Sequence, residues 1–231
     1  MKYLIAGLSL LCVLASEAQF TRDDQATKIE SSIGVVAGVS STTLDFGTSS
    51  YTYDYLNVMN FESSYSPSFG LNSEFFFASR NQSWSLYLEL NYHEYRMRDQ
   101  YTDFNQTTHS ASISASHLRI LPVVRYHIPL GSFKPFVGIG YGFSHLLKDQ
   151  TFKTTYYYNS SDPSNPRVES NPIFEDPITM EDGFELSLGF KYKQLGMEFR
   201  YEGTQGMSNL LAVSSKVRRT YFLLSYQVLS W

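Results

Sequence analysis

The sequence predicts an all-β fold, an eight-stranded antiparallel up-and-down transmembrane β-barrel, and three observations predict it. Hydrophobicity repeats every second residue along most of the chain. The connecting segments alternate between long and short. Aromatic residues, with 18 Tyr and 17 Phe among 231 residues, gather near the ends of the alternating stretches. A barrel strand needs only one apolar face, so its mean hydropathy stays low; here the value is −0.24.

The chain opens MKYLIAGLSLLCVLASEAQF. Lys2 is a short basic start, and residues 4–14 are apolar but too few for a membrane-spanning helix. Ser16 and Ala18 occupy the small-residue positions of a cleavage site. Residues 1–18 are therefore predicted to be a cleaved signal peptide, and residues 19–231 a single barrel domain. Cys12 lies inside the apolar stretch behind Leu11, which disfavours a lipoprotein. Cleavage removes this one cysteine, so the mature chain can hold neither a disulfide nor a Cys-ligated metal. The net charge is −4 and the basic residues are scattered, which excludes a nucleic-acid surface.

Each strand follows from its alternation, because successive side chains on a strand point to opposite faces. The first is read at 29–41, with Ile33, Val35, Ala37 and Val39 opposite Gly34 and Gly38. The second, 66–77, sets Phe69, Leu71, Phe75 and Phe77 against Ser68, Asn72 and Glu74. The third, 84–96, sets Trp84, Leu86, Leu88, Leu90 and Tyr92 against Ser85, Tyr87, Glu89 and Asn91. The fourth, 114–128, sets Leu118, Ile120, Val124, Tyr126 and Ile128 against Arg119, Arg125 and His127. The fifth, 134–147, sets Val137, Ile139, Tyr141 and Phe143 against Gly138, Gly140, Gly142 and Ser144. The sixth, 183–192, sets Phe184, Leu186, Leu188, Phe190 and Tyr192 against Glu185, Ser187, Gly189 and Lys191. The seventh, 195–202, sets Leu195, Met197, Phe199 and Tyr201 against Glu198, Arg200 and Glu202. The eighth, 218–231, sets Phe222, Leu224, Tyr226 and Val228 against Tyr221, Ser225 and Gln227.

Connections after the second, fourth and sixth strands are short: SRNQS, PLGS and KQLG. Those after the first, third, fifth and seventh are long, and the longest, 148–182, carries Pro163, Pro166, Pro172 and Pro177 and cannot be a central strand. Short turns at one end and long loops at the other are the pattern of a membrane barrel. Trp84, Phe77, Tyr126, Phe136 and Tyr192 fall near the short-turn ends, and Tyr92, Tyr65 and Phe184 near the long-loop ends. Two such girdles suit the two membrane interfaces.

Charge at the lipid midplane costs about 2–4 kcal/mol, so ionisable residues belong inside. Glu74, Glu89, Glu185, Glu198 and Glu202 share the inward parity with Arg119, Arg125, Lys191, Arg200 and Arg219. His93 shares a face with Glu89, which predicts an interior hydrogen bond rather than a metal site. Eight strands enclose a space that side chains just fill. The predicted lumen is therefore plugged by a polar network of Glu74, Glu89, His93, Arg119, Arg125, Glu185, Lys191, Glu198 and Arg200, with the glycines of the fifth strand making room for bulk such as Tyr87 and Tyr95. For any single pair, charge neutralisation in a wet interior is the competing reading.

No cofactor or metal site is predicted, because none of the 5 histidines has ligand spacing to another donor. No enzyme is predicted either. Ser144 and His145 are adjacent and so face opposite sides, and no G-x-S-x-G elbow is present. Tyr51, Tyr53 and Tyr55, and Tyr156, Tyr157 and Tyr158, form two clusters in the long loops. They are either an interaction surface or strands continued beyond the membrane.

HLRILPVVRYHI at 117–128, KPFVGIGYGFSHLL at 134–147 and MEFRYEGTQG at 197–206 carry a resemblance. The chain resembles small outer-membrane barrels of the OmpA/OmpX type, within the porin-like β-barrel family of Gram-negative bacteria. Its last strand alternates as that family's insertion signal does, but ends Leu229-Ser230-Trp231 rather than in Phe. The resemblance implies the bacterial outer membrane. It also implies contact with membrane lipids and lipopolysaccharide, insertion by the barrel-assembly machinery, and a structural or surface-interaction role with an extracellular partner it does not name. The alternative is a narrow channel, or a carrier of small apolar ligands.

Overall fold

A computed structural model of the chain describes residues 30–46, 64–77, 83–102, 107–159, 162–172, 179–205 and 215–231. The predicted signal peptide and Tyr51, Tyr53 and Tyr55 lie outside these residues. The described strands are β1 (Ser31–Phe46), β2 (Ser64–Phe76), β3 (Trp84–Thr102), β4 (Thr108–His127), β5 (Phe133–Asn159), β6 (Asp162–Pro172), β7 (Met180–Tyr192), β8 (Leu195–Gln205) and β9 (Ser215–Ser230). All pairings are antiparallel, and all of these strands except β6 close a ring, β1-β2-β3-β4-β5-β7-β8-β9. The ring matches the eight strands read from the sequence.

Closure is staggered. Followed round the ring, the paired register leads from Ser32 through Glu74, Tyr87, Val123, Gly140, Glu185, Glu202 and Arg219 to Thr42, ten residues further along β1. Such a stagger tilts the strands, as barrel closure requires. The start of β1 and the last residue meet at the short-turn end, where Ser31 and Trp231 exchange two backbone hydrogen bonds of 3.0 Å. The turns there are tight. Lys193 takes a left-handed φ of 54° in the β7–β8 turn, and Gly131 one of 68° between β4 and β5. Only glycine adopts that conformation without steric cost.

Two connections differ from the sequence reading. The loop after the third strand is not long: β3 runs to Thr102, β4 starts at Thr108, and the two pair along their whole length. The segment 148–182 also carries pairing, since β5 continues to Asn159 and β6 returns along it. Tyr156, Tyr157 and Tyr158 lie on that extension of β5. A strand needs about 9–11 residues to cross the membrane. With 19, 20 and 27 residues, β3, β4 and β5 have length to spare.

The faces sort as the dyad repeat requires. Leu71, Val137, Leu188 and Phe222 stand on the outside, and each is 45% exposed or more. Ring contacts link the outer aromatics near the short turns, with Trp84 and Tyr126 4.9 Å apart and Phe133 and Phe190 5.1 Å apart. Phe136 is the exception to the predicted girdle. It has the parity of Gly138 and is buried inside the barrel. The interior is not wholly polar either, for Val36, Tyr87, Leu121, Val123, Tyr221 and Leu223 form two buried apolar clusters in it.

Polarity inverts along the long hairpin. Beyond Tyr92 on β3 and Leu118 on β4, the outward side chains become Glu94, Arg96 and Arg98, and Ser116, Ser114 and Ser112. The inward ones become Tyr95 and Met97, and Ala115, Ile113 and Ala111, all buried. An apolar exterior suits lipid; a polar exterior over an apolar interior suits water. The switch therefore marks where these strands leave the hydrocarbon.

Candidate functional site

The lumen is the candidate site, and inward-facing residues of the ring strands build it. At the short-turn end Glu74 of β2 is fully buried and collects four neighbours. It accepts from Ser85 Oγ at 2.6 Å and from Lys191, lies 3.0 Å from His127 Nε2, and has Arg125 3.8 Å away. Lys191 reaches it across the barrel, from β7.

Above this, Arg200 of β8 holds Glu89 of β3 with two hydrogen bonds, 2.8 and 2.6 Å, and Glu198 with a third of 3.0 Å. Arg125 donates to Glu198 at 2.6 Å. Tyr87 donates to Glu89 at 2.5 Å, and its ring lies 3.4 Å below the Arg125 guanidinium, which Phe136 also flanks at 4.4 Å. Arg125 is thus held by a carboxylate at its edge and by two aromatic faces.

Towards the long-loop end, Arg119 reaches Glu185 at 2.6 Å and Glu202 at 3.0 Å. Arg219 reaches Glu181 at 2.7 Å and Glu202 at 3.5 Å, and Tyr221 donates to Glu202 at 2.7 Å. Gly142 makes room for Arg119: a Cβ there would stand 2.5 Å from its Nε. In a low-dielectric interior each lone charge would cost several kcal/mol, so shared partners are what make the set tolerable.

The structure brings Glu74, Glu89, Arg119, Arg125, Glu185, Lys191, Glu198 and Arg200 into this one lattice. It places His93 differently. His93 is fully buried and shares the lumen, but its ring stacks on His117 at 5.3 Å and meets Tyr221 edge-on at 6.2 Å. Neither ring nitrogen has a hydrogen-bond partner among the described residues, contrary to the predicted hydrogen bond. Parity places His93 and Glu89 on one face, but they stand four residues apart along β3, and Arg200 and Tyr87 occupy Glu89 instead.

Glu181, His117 and Tyr221 belong to the lattice and were not in the predicted network. Ser85, His127 and Glu74 also meet, with Ser85 Oγ 2.9 Å from His127 Nε2. This trio is not a nucleophilic relay. Serine and carboxylate contact the same ring nitrogen, whereas a relay needs the acid on the opposite one, and His127 Nδ1 has no partner among the described residues. Ser144 is buried inside and His145 exposed outside, so they do not pair.

A cavity of about 280 Å³ opens at the short-turn mouth, lined by Glu30, Ser31, Ser32, Phe76, Gln227, Ser230 and Trp231. A second space, which also touches Ser32 and Gln227, measures about 10 Å³ where it meets Tyr87 and Lys191. That is barely room for one water.

Residues 17–202 match the family model described as an outer membrane protein beta-barrel domain. Among solved structures, Neisserial surface protein A is similar at 11% identity and a TM-score of 0.40, over 86% of this chain and 98% of that one. The outer membrane protein OprG of Pseudomonas aeruginosa is similar at 12% identity and a TM-score of 0.39, over 87% and 98%. The attachment invasion locus protein Ail of Yersinia pestis is similar at 11% identity and a TM-score of 0.32, over 87% and 99%. No curated protein sequence matches the chain.

Proposed function

The chain belongs to the outer membrane protein β-barrel domain family and resides in the bacterial outer membrane; from that premise we propose that it is a barrel sealed by its own side chains, serving as a rigid mount for its outward segments. The observation that carries this reading is the Arg200–Glu89–Glu198–Arg125 bridge across the barrel, every member of it buried. Opening a pore would separate these charges in a medium that solvates them poorly. The partner is then met outside, by the extensions of β3, β4 and β5 and the loops above them. The outer face of β9, with Phe222, Leu224, Tyr226 and Val228, supports insertion by the barrel-assembly machinery.

Proteoliposomes test the reading. Vesicles carrying the folded mature chain retain an entrapped small sugar as well as protein-free vesicles do. Rapid loss of the sugar supports the second reading, a narrow channel or carrier, which the 280 Å³ mouth cavity favours.

A further inference from the structure

We propose that the cavity at the short-turn mouth binds one neutral sugar ring. This goes beyond the proposed function, in which a sealed lumen leaves the mouth as a blind pocket. A bulge in β9 builds it. In the β1–β9 register Gly34 pairs with Gln227 and Ile33 with Leu229, so Val228 is an extra residue. Val228 and Leu229 both stand exposed on the outside. Gln227 and Ser230 therefore share the inward side with Ser32, and all three line the cavity. Strict alternation would put Gln227 and Ser230, three residues apart, on opposite faces. The rim is fixed by its backbone: Phe76 donates its N–H to the Glu30 carbonyl at 2.9 Å, and Ser31 and Trp231 are doubly paired. A rim already ordered loses little freedom on binding.

The lining selects the ligand. Serine hydroxyls and the Gln227 amide both donate and accept, as sugar hydroxyls do. Glu30 adds an acceptor, and its charge opposes an anion. Among the described residues no cation lines the cavity. Lys134 and Lys191 stand 5.5 and 5.7 Å from the centre of the Phe76 ring, and Lys191 is engaged by Glu74. Phe76 and Trp231 supply the apolar wall. An aromatic face carries partial negative charge, which suits the C–H face of a pyranose, and this wall is too small for a lipid tail. At about 280 Å³ the cavity lies at the small end of ligand sites, the size for a single ring. The throat beneath it, about 10 Å³, stops the sugar there. Short turns of such barrels face the periplasm, so the source is a free periplasmic sugar or the end of a cell-wall glycan.

The test uses the mature chain with Trp84→Phe, folded in a detergent without a sugar headgroup, so that Trp231 is the one remaining tryptophan. Trp231 emission is titrated with methyl α-glucoside and with N-acetylglucosamine, and with glycerol and inorganic phosphate as controls. At least one of the two sugars gives a saturable change with a Kd of about 1 mM, the range for so small a ligand. Glycerol and phosphate give none. Gln227→Leu and Ser230→Ala each weaken binding about fivefold, the loss of one hydrogen bond. Lys216→Gln, at the long-loop end, leaves it unchanged. Isolated cell-wall sacculi separate the two sources. Co-sedimentation that free sugar reverses assigns the site to the glycan, and sugar binding without co-sedimentation assigns it to the free sugar. No saturable change with either sugar, an equal response to glycerol or phosphate, or an unaffected Gln227→Leu/Ser230→Ala chain overturns the proposal. If that double variant does not fold, acrylamide quenching decides: sugar that shields Trp231 at least twofold upholds the site, and a smaller effect overturns it. Rapid sugar loss from vesicles would instead refute the sealed lumen and leave binding at the mouth standing.

Discussion

Arg200 on β8 and Glu89 on β3 meet in the lumen through two parallel hydrogen bonds of 2.8 and 2.6 Å. β3 and β8 are not neighbours in the ring, so the pair ties together strands that share no backbone hydrogen bonds. Arg200→Met leaves Glu89 buried without its main partner and lowers stability by about 3–5 kcal/mol. The double variant Arg200→Met/Glu89→Leu recovers most of that loss, because no unpaired charge remains. Urea unfolding of chains folded into vesicles measures both.

Leu121 and Leu188 are the same residue type on opposite faces: Leu121 is buried in the lumen and Leu188 is 58% exposed on the outside. Leu121→Ala leaves a hole beside Tyr87 and Val123, and costs about 2–5 kcal/mol. Leu188→Ala costs less, since a lipid tail fills the space. The same urea titration ranks them. A larger loss at Leu188 would contradict the assignment of faces.

The dyad repeat made the faces legible, and with them most of the lattice. Parity states which way Arg125 points; it does not state that Glu198, on a strand across the barrel, will meet it. Glu181 keeps the parity of Glu185, but it precedes the apolar alternation that starts at residue 183, so the sequence pattern does not reach it. The full length of β3 and β4 was hidden for a physical reason. Past Tyr92 the outer face turns polar and the inner face apolar, so a search for an apolar outer face stops where the membrane does. β6 was masked by Pro163, Pro166 and Pro172, which read as breakers. Among the described residues it pairs with β5 alone, and an edge strand tolerates proline.

Gly38 sits at the β1–β9 seam that closes the ring, beside Leu223. A Cβ there would lie 2.0 Å from the Phe222 carbonyl oxygen, which the backbone cannot easily move. Gly38→Ala therefore destabilises the barrel by about 1–3 kcal/mol and slows the appearance of the folded band on a gel. Gly203, whose added Cβ would meet nothing within 4 Å, serves as the control. Gly203→Ala folds like the parent.

Orientation follows from the end that Ser31 and Trp231 share with the tight turns. Trypsin added to intact cells cleaves within the outer segment that holds Lys148, Lys153 and Arg167, and spares Lys193 in the β7–β8 turn. Lys193 becomes a target only after the outer membrane is permeabilised. Mass spectrometry of the fragments reads the order, and early cleavage at Lys193 would invert the orientation.

Buried ion pairs seal the lumen, and single-channel recording in planar bilayers decides whether they do. The folded wild-type chain gives a flat current trace, and Arg200→Met gives at most brief flickers, because Tyr87, Arg125 and Phe136 still fill the cross-section. Stable, long-lived conductance steps from the wild-type chain would contradict the sealed lumen and establish a channel.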